Sequence, residues 1–221
     1  MLIDFALTLL GAYATALVAA ELRKRVNLPK IQRRSPYTLT DGKTEFDFYS
    51  APHLIVGGIS NMGKSYFVTK LLKGRNDIDI TILNAYLTDF QGVKGSRIND
   101  RRSILLYLQN VLSVKHNKPQ FIVIDEILTL STDKKIMNQI QELLCVARHQ
   151  NVYLICITQR GLQSEIPFKN LFNMRVCFKM LETQSLIALL GYSPENIIML
   201  RQGQYYFVNH CATGIAKCPS K

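Results

Sequence analysis

The sequence lacks the cysteine patterns that mark metal sites and disulfide frameworks. Its five cysteines form no C-x-x-C pair, and no histidine lies at zinc-finger spacing from them. The sequence also contains no low-complexity tract and no internal repeat. These absences favour reduced thiols in a cytosolic compartment. With 221 residues, of which 48% are hydrophobic, the chain can bury the core of one domain and carry one appendage.

Negative charge is scarce. The chain has 16 acidic and 27 basic residues, and its formal net charge is +11. Six basic residues and one acidic residue lie between Glu21 and Arg34, and Asp4 is the only charged residue before them. Residues 35–221 therefore keep a net charge of +7. A basic body favours a polyanionic partner such as nucleic acid, and the alternative is a basic surface that meets only solvent.

Charge is absent from Phe5 to Ala20, a run of sixteen residues. Residues 1–20, at about 1.5 Å per residue, match a hydrocarbon core of about 30 Å. We therefore predict a transmembrane helix over residues 1–22 and a basic linker over 23–49, with the chain after Glu21 on the cytoplasmic side. A cleaved signal peptide is an alternative, although positive charge would then precede the apolar run. A soluble helix that is buried or forms oligomers is another.

The segment Gly58–Ser65 fits the phosphate-loop pattern G-x-x-x-x-G-K-[ST]. Residues 53–57 predict a short buried strand before it, and residues 66–72 predict an amphipathic helix after it. In this context the loop's N–H groups form a nest for the polyphosphate of ATP. Lys64 would reach the β and γ oxygens, and the Ser65 hydroxyl would ligate Mg²⁺. The alternative is a chance match in a glycine-containing turn. If the motif is genuine, the nucleotide-binding residues are Gly58, Ile59, Ser60, Asn61, Met62, Gly63, Lys64 and Ser65.

Two carboxylates follow a second apolar strand. Phe121–Ile124 is rich in β-branched and aromatic residues, and Asp125 and Glu126 come directly after it. The carboxyl ends of parallel strands meet at one edge of a sheet, where nucleotides bind. Asp125 would hold Mg²⁺ through water, and Glu126 would polarise the attacking water. An acid pair of this kind after a phosphate loop is typical of a nucleotide hydrolase.

A third strand is predicted over residues 152–157, after a helix over Lys134–Gln150. It ends in Thr158, Gln159 and Arg160, so that Gln159 reaches the same sheet edge, near the γ-phosphate. The alternative is that Gln159 is an ordinary polar residue at a strand end. We expect an α/β P-loop domain over residues 50–221, with a mostly parallel sheet flanked by helices.

At this point the chain resembles the FtsK/HerA branch of P-loop ATPases, which are DNA-pumping motors. The resemblance extends over about residues 50 to 209, and the block of residues 147–160 is its most specific part. The matching segments are Gly58–Ser65, Ile124–Glu126, Ala147–Arg160, Phe172–Lys179 and Leu200–Phe207.

The resemblance implies a ring, usually a hexamer, with ATP at subunit interfaces and double-stranded DNA in the middle. Gln159 would then sense the γ-phosphate. An arginine from the neighbouring subunit would neutralise charge in the transition state. Arg148 is the first candidate for this role, Arg175 the second, and Arg160 follows them.

A further strand is predicted over Ile80–Leu83, between the phosphate loop and Phe121–Ile124, and the segment after it is basic. Its loops could face the central pore, where cationic side chains would contact phosphates without reading sequence. The residues concerned are Lys94, Arg97, Arg101 and Arg102.

Larger chromosome pumps carry several membrane spans and a DNA-reading winged helix, neither of which fits here. The function that we expect is ATP-driven DNA movement by a membrane-anchored ring, similar to the genome-packaging ATPases of membrane-containing viruses. Such a single-pass protein would lie in a host or virion membrane beside portal, capsid or channel proteins. The alternatives are a conjugative DNA-transfer ATPase, a filamentous-phage assembly ATPase of the zonular occludens toxin type, and a nucleotide-bound scaffold. The presence of both acids argues against the scaffold.

Overall fold

The computed structural model describes residues 35–161, 166–194 and 199–219. The predicted membrane helix over residues 1–22, and the predicted linker as far as Arg34, lie outside these residues. Across the described ranges, no helix combines the length and the apolar character that crossing a membrane requires.

Eight strands of the described part of the chain form one mixed sheet, in the order β10-β9-β8-β3-β7-β6-β4-β5. The six strands from β8 to β5 pair in parallel, and β9 and β10 add antiparallel pairs at one edge. This arrangement confirms the expected mostly parallel sheet. The strands are β3 (Leu54–Gly57), β4 (Asp79–Leu83), β5 (Ser96–Ile98), β6 (Gln120–Ile124), β7 (Val152–Thr158), β8 (Met174–Cys177), β9 (Gln204–Val208) and β10 (Thr213–Lys217).

Four α-helices connect these strands: α1 (Lys64–Leu72), α2 (Arg101–Asn110), α3 (Lys134–Val146) and α4 (Thr183–Leu190). Two of them begin at aspartates whose side chains accept hydrogen bonds from the first backbone N–H groups. Asp100 caps α2 and Asp133 caps α3. Short 3₁₀ turns lie at Val111–Ser113, Ile127–Leu130, Ala147–Gln150 and Lys169–Leu171. The helix predicted over 134–150 therefore changes to 3₁₀ geometry in its last turn.

The central strands are apolar along their whole length because both faces of the sheet are covered. In β7, for example, Leu154 packs on the side of α2, α3 and α4. Its neighbour Ile155 packs on the opposite side with α1. Both side chains are fully buried. The core is thus two layers of side chains separated by the sheet.

A small hairpin of β1 (Thr38–Thr40) and β2 (Glu45–Asp47) covers part of the α1 face. Its residues lie within the predicted linker over 23–49, but in the structure they belong to the compact unit that begins at Ser35. Leu39 and Phe46 are fully buried. The Tyr205 hydroxyl of β9 donates to the Asp41 carboxylate at 2.7 Å, which ties the hairpin turn to the sheet.

The strands predicted over 53–57, 121–124 and 152–157 are confirmed as β3, β6 and β7, and the helix predicted over 66–72 as α1. Four elements were not predicted: β5, β10, α2 and α4. The segment predicted as basic loops contains β5 and α2, and the residues after 207 contain β10. β5 has only three residues, and β10 alternates between exposed and partly buried residues. Neither strand therefore gives a clear run of apolar residues in the sequence.

Candidate functional site

The phosphate loop connects β3 to α1, and its first residues are fixed to the two strands beside β3. The N–H of Gly58 donates to the carbonyl of Thr158 at 3.2 Å, and the N–H of Ile59 donates to that of Lys179 at 3.0 Å. Gly58 has φ +146°, and a Cβ there would lie 2.6 Å from the Cβ of Phe178. Only glycine fits this position. Local packing therefore forces the loop that the motif predicts.

Lys64 is buried at the start of α1, where its Nζ donates to the carbonyl of Ile59 at 3.1 Å. Burial lowers the pKa of Lys64, and the nearby Glu126 and Asp125 carboxylates oppose this shift. The lysine thus lies beside both predicted acids. A buried cation at this point of the loop is suited to anionic oxygens.

Asp125 directly follows β6 and is only 7% exposed. Its N–H donates to the carbonyl of Leu83 at 3.0 Å, which holds the strand end in place. Burial, together with the charges of Asp89 and Glu126, raises the pKa of Asp125 to about 7 against the opposing charge of Lys64. Asp89 is thus a third carboxylate of the site. It lies in the loop between β4 and β5, where no sequence motif marks it.

Glu126 lies in the left-handed region with φ +51°, which is costly for a residue with a side chain. Its Oε1 accepts a hydrogen bond from the N–H of Gln159 at 3.3 Å. Burial raises the pKa of Glu126, and the hydrogen bonds from Gln159 and the charge of Lys64 reduce that rise. The structure thus brings Gln159, predicted from the end of β7, to the predicted base.

Asn84 supports the turn that carries the acid pair, and sequence reasoning missed it. It follows β4 with φ +61°. Its Nδ2 donates to the carbonyl of Asp125 at 2.8 Å and to Thr129 Oγ1 at 2.6 Å. The only sequence signal is a polar residue at the end of an apolar strand, and its partners lie some forty positions away.

The residues present fit a divalent cation bound with a nucleotide. Ser65 is half-buried and lines a cavity of about 460 Å³ together with Asp89. The Asp125 and Glu126 carboxylates act on the single charge of Lys64, and Asp89 acts on Asp125. A divalent cation would offset this group of negative charges. Among the described residues, no group of three or more His, Cys, Asp or Glu side chains is arranged to hold a metal alone. The phosphates would therefore supply ligands beside Ser65 and Asp125.

The three candidate arginines differ in placement. Arg148 is exposed in the 3₁₀ turn before β7. This turn lies at the amino ends of the parallel strands, whereas the phosphate loop lies at their carboxyl ends. β7 has seven residues, so about 23 Å separate this turn from the chain's own site at about 3.3 Å per residue. Arg160 follows Gln159 on the loop side.

Arg175 makes contacts within its own domain. It is half-buried in β8, where its Nη1 donates to the carbonyl of Leu189 at 3.2 Å and its Nε to that of Phe172 at 3.3 Å. Burial lowers its pKa. The described contacts give Arg175 a structural role at the carboxyl end of α4.

The basic residues after β4 also divide into two groups. Arg97 Nη2 donates to the carbonyl of Asp89 at 2.7 Å, and Arg101 Nη2 donates to that of Thr129 at 2.7 Å. These two guanidinium groups support the loops of the site. Lys94 and Arg102 are exposed. Of the four, they remain the candidates for contacts with phosphates of nucleic acid.

No model of a known family matches the sequence, and no curated protein matches it. Solved structures do match the fold. The pCW3 conjugation coupling protein TcpA, solved with ATPgS, is similar with a TM-score of 0.64 and 16% identity, over 79% of this chain and 62% of TcpA. ATPases 2 and 3 of Thermomonospora curvata EccC give a TM-score of 0.61 and 17% identity, over 80% of this chain and 38% of that two-ATPase chain.

A third neighbour is the genome-packaging NTPase B204 of Sulfolobus turreted icosahedral virus 2, solved with AMPPCP. Its TM-score is 0.58 and its identity 19%, over 76% of this chain and 98% of B204. The chain therefore spans less than two thirds of TcpA and EccC but nearly all of B204. At 16%, 17% and 19% identity these likenesses show the fold alone, and at that level they confirm the resemblance stated from the sequence.

Proposed function

We propose that this chain hydrolyses ATP and uses the energy to move DNA. The observation that carries the proposal is the meeting of Lys64, Asp125, Glu126 and Gln159 at one sheet edge. A phosphate loop alone would support nucleotide binding only. The buried acid pair beside it supplies what hydrolysis requires, and this speaks against a scaffold that binds ATP without turnover.

Each side chain has a separate task in this proposal. The loop amides and Lys64 hold the β- and γ-phosphates. Ser65 and Asp125 hold Mg²⁺, which neutralises charge on the phosphates when it is bound. Glu126 accepts a hydrogen bond from the attacking water and polarises it, and burial favours this role because it raises the basicity of the carboxylate. Gln159 holds Glu126 and reports the presence of the γ-phosphate.

The site is completed by a second copy of the chain in a ring, which we expect to be hexameric. Arg148 is the arginine best placed to act in a neighbouring subunit, since it is exposed and lies at the sheet edge away from its own loop. Arg175 is less suited because its guanidinium already bonds two carbonyls of its own domain.

DNA is the preferred cargo because of charge. Residues 35–221 carry a net charge of +7, and Lys94 and Arg102 are exposed on the segment after β4. Contacts of this kind bind the phosphate backbone independently of base sequence. Two of the neighbours are named for conjugation and genome packaging, which supports the same choice. The EccC neighbour is a secretion ATPase, so a polypeptide cargo is the competing candidate.

The particular role that we favour is genome packaging in a virus with an internal membrane. The match includes 98% of the packaging NTPase B204 but 62% of the conjugation protein. The predicted helix over residues 1–22 would anchor the ring in a host or virion membrane, beside portal or capsid proteins. A conjugative DNA-transfer ATPase, with a channel protein as partner, and a filamentous-phage assembly ATPase are the alternatives.

Translocation can be tested by displacement of a triplex-forming oligonucleotide from linear double-stranded DNA by the full chain. We expect displacement that requires ATP. Lys64→Ala should abolish it through loss of ATP binding, and Arg148→Ala should abolish it while ATP binding survives. DNA-dependent ATP turnover without displacement would argue for a DNA-activated enzyme that does not translocate. Normal displacement by Arg148→Ala would remove this arginine from the site.

A further inference from the structure

The apex of the phosphate loop is held by the turn before β9. Gln202 Nε2 donates to the carbonyl of Asn61 at 2.9 Å. The N–H of Gly203 donates to the carbonyl of Met62 at 3.1 Å. These contacts link the middle of the loop to a part of the chain 141 residues further on.

The turn is itself fixed. The N–H of Arg201 donates to Gln204 Oε1 at 2.8 Å, and the N–H of Gln204 donates to the carbonyl of Arg201 at 3.0 Å. The carbonyl of Gly203 accepts from the N–H of Cys218, after β10, at 2.9 Å. The β9–β10 hairpin therefore holds the turn rigidly against the loop.

The loop has no other described support at this point. Its first residues are tied to β7 and β8, and its last residues enter α1. Between them, Asn61 has φ +62°, a left-handed conformation that asparagine adopts more readily than most residues. Gly63 lies beside the turn: a Cβ there would be in ordinary van der Waals contact with the Cα of Gly203, at 3.9 Å.

We propose that Gln202 is a positioning residue for the triphosphate. A phosphate loop binds anions through N–H groups that point inward, so its carbonyls must point outward and find donors there. Gln202 and Gly203 donate to two consecutive carbonyls of the apex. They thereby hold the peptide planes in the orientation that presents the amides to the phosphates. The inference rests on ATP binding at Gly58–Ser65, as proposed above.

The test uses Gln202→Glu in the full chain. Glutamate keeps the size of glutamine but cannot donate to the Asn61 carbonyl, and its negative charge would lie against that carbonyl oxygen. We expect the Kd for a fluorescent ATP analogue to rise about 10-fold, and about 3-fold for Gln202→Ala, which only removes the donor. The turnover number at saturating ATP should stay near that of the wild type. Gln184→Ala, at an exposed position of α4, is the matched control.

Competition by inorganic tripolyphosphate separates effects on binding of the phosphates from effects on binding of the adenine ring. Its affinity should fall by the same factor as that of ATP. An unchanged affinity for tripolyphosphate, or wild-type ATP binding by both variants, would overturn the inference. Lys64→Ala tests the underlying site in the same assay. If Lys64→Ala binds ATP like the wild type, the proposed nucleotide site itself is wrong, and this result is distinct from a failure of Gln202 alone.

Discussion

Replacement of Glu126 by glutamine is expected to reduce ATP turnover by about 10²- to 10³-fold and to leave ATP affinity nearly unchanged. Glutamine keeps the size of the side chain but cannot accept a proton or strongly polarise water. ATP binding depends instead on the loop and on Lys64. Turnover is measured by phosphate release, and affinity by titration with a fluorescent ATP analogue.

Glu142→Gln is the matched control, because Glu142 is exposed on α3 and lies outside the site. It should behave as the wild type in both assays. If Glu126→Gln hydrolysed ATP at the wild-type rate, Glu126 could not be the group that activates water. If it lost ATP binding instead, its role would be in the structure of the loop.

Replacement of Asp125 by asparagine is expected to stabilise the protein at pH 8 when nucleotide and Mg²⁺ are absent, and to impair MgATP hydrolysis. Burial and neighbouring carboxylates raise the pKa of Asp125 to about 7 in the folded state, above its ordinary value of about 4. The folded state therefore favours the protonated form. Ionisation of Asp125 destabilises the fold, and the free energy of unfolding should fall as the pH rises from about 4 to about 7.

The size of the effect follows from the shift. At about 1.4 kcal/mol per pH unit, the wild type should lose about 2 to 4 kcal/mol across this range through Asp125, and Asp125→Asn should not. Denaturant unfolding at a series of pH values measures both proteins. Asp79→Asn, at the exposed first residue of β4, removes the same charge far from the site and should keep the wild-type slope. Parallel pH profiles for the wild type and Asp125→Asn would contradict the account.

The sequence predicts the phosphate loop and the acid pair well because their constraints are local. Gly58–Ser65 fits an eight-residue motif, and Asp125 and Glu126 come directly after an apolar strand. Gln159 could be assigned to the site because the carboxyl ends of neighbouring parallel strands lie side by side. Each of these inferences needs only a motif and the direction of its strand.

Asn84, Asp89 and Gln202 could not be predicted in the same way. Asn84 acts on the acid pair because β4 is the neighbour of β6, and the sequence does not state this strand order. Gln202 reaches the loop because the antiparallel hairpin lies at the same end of the sheet. The choice between Arg148 and Arg175 likewise depends on contacts, since only the structure gives Arg175 its carbonyl partners. The roles of residues outside any motif can be assigned only when the order of the strands in the sheet is known.

The central claim is that ATP hydrolysis at the site of Lys64 and Glu126 is coupled to DNA. The most direct test is the ATPase rate of the detergent-solubilised full chain, with and without double-stranded DNA, beside Glu126→Gln. We predict that DNA raises the rate several-fold, that added salt weakens this stimulation, and that Glu126→Gln shows neither basal nor stimulated turnover. An ATPase rate that is the same with and without double-stranded DNA at low salt would contradict the claim.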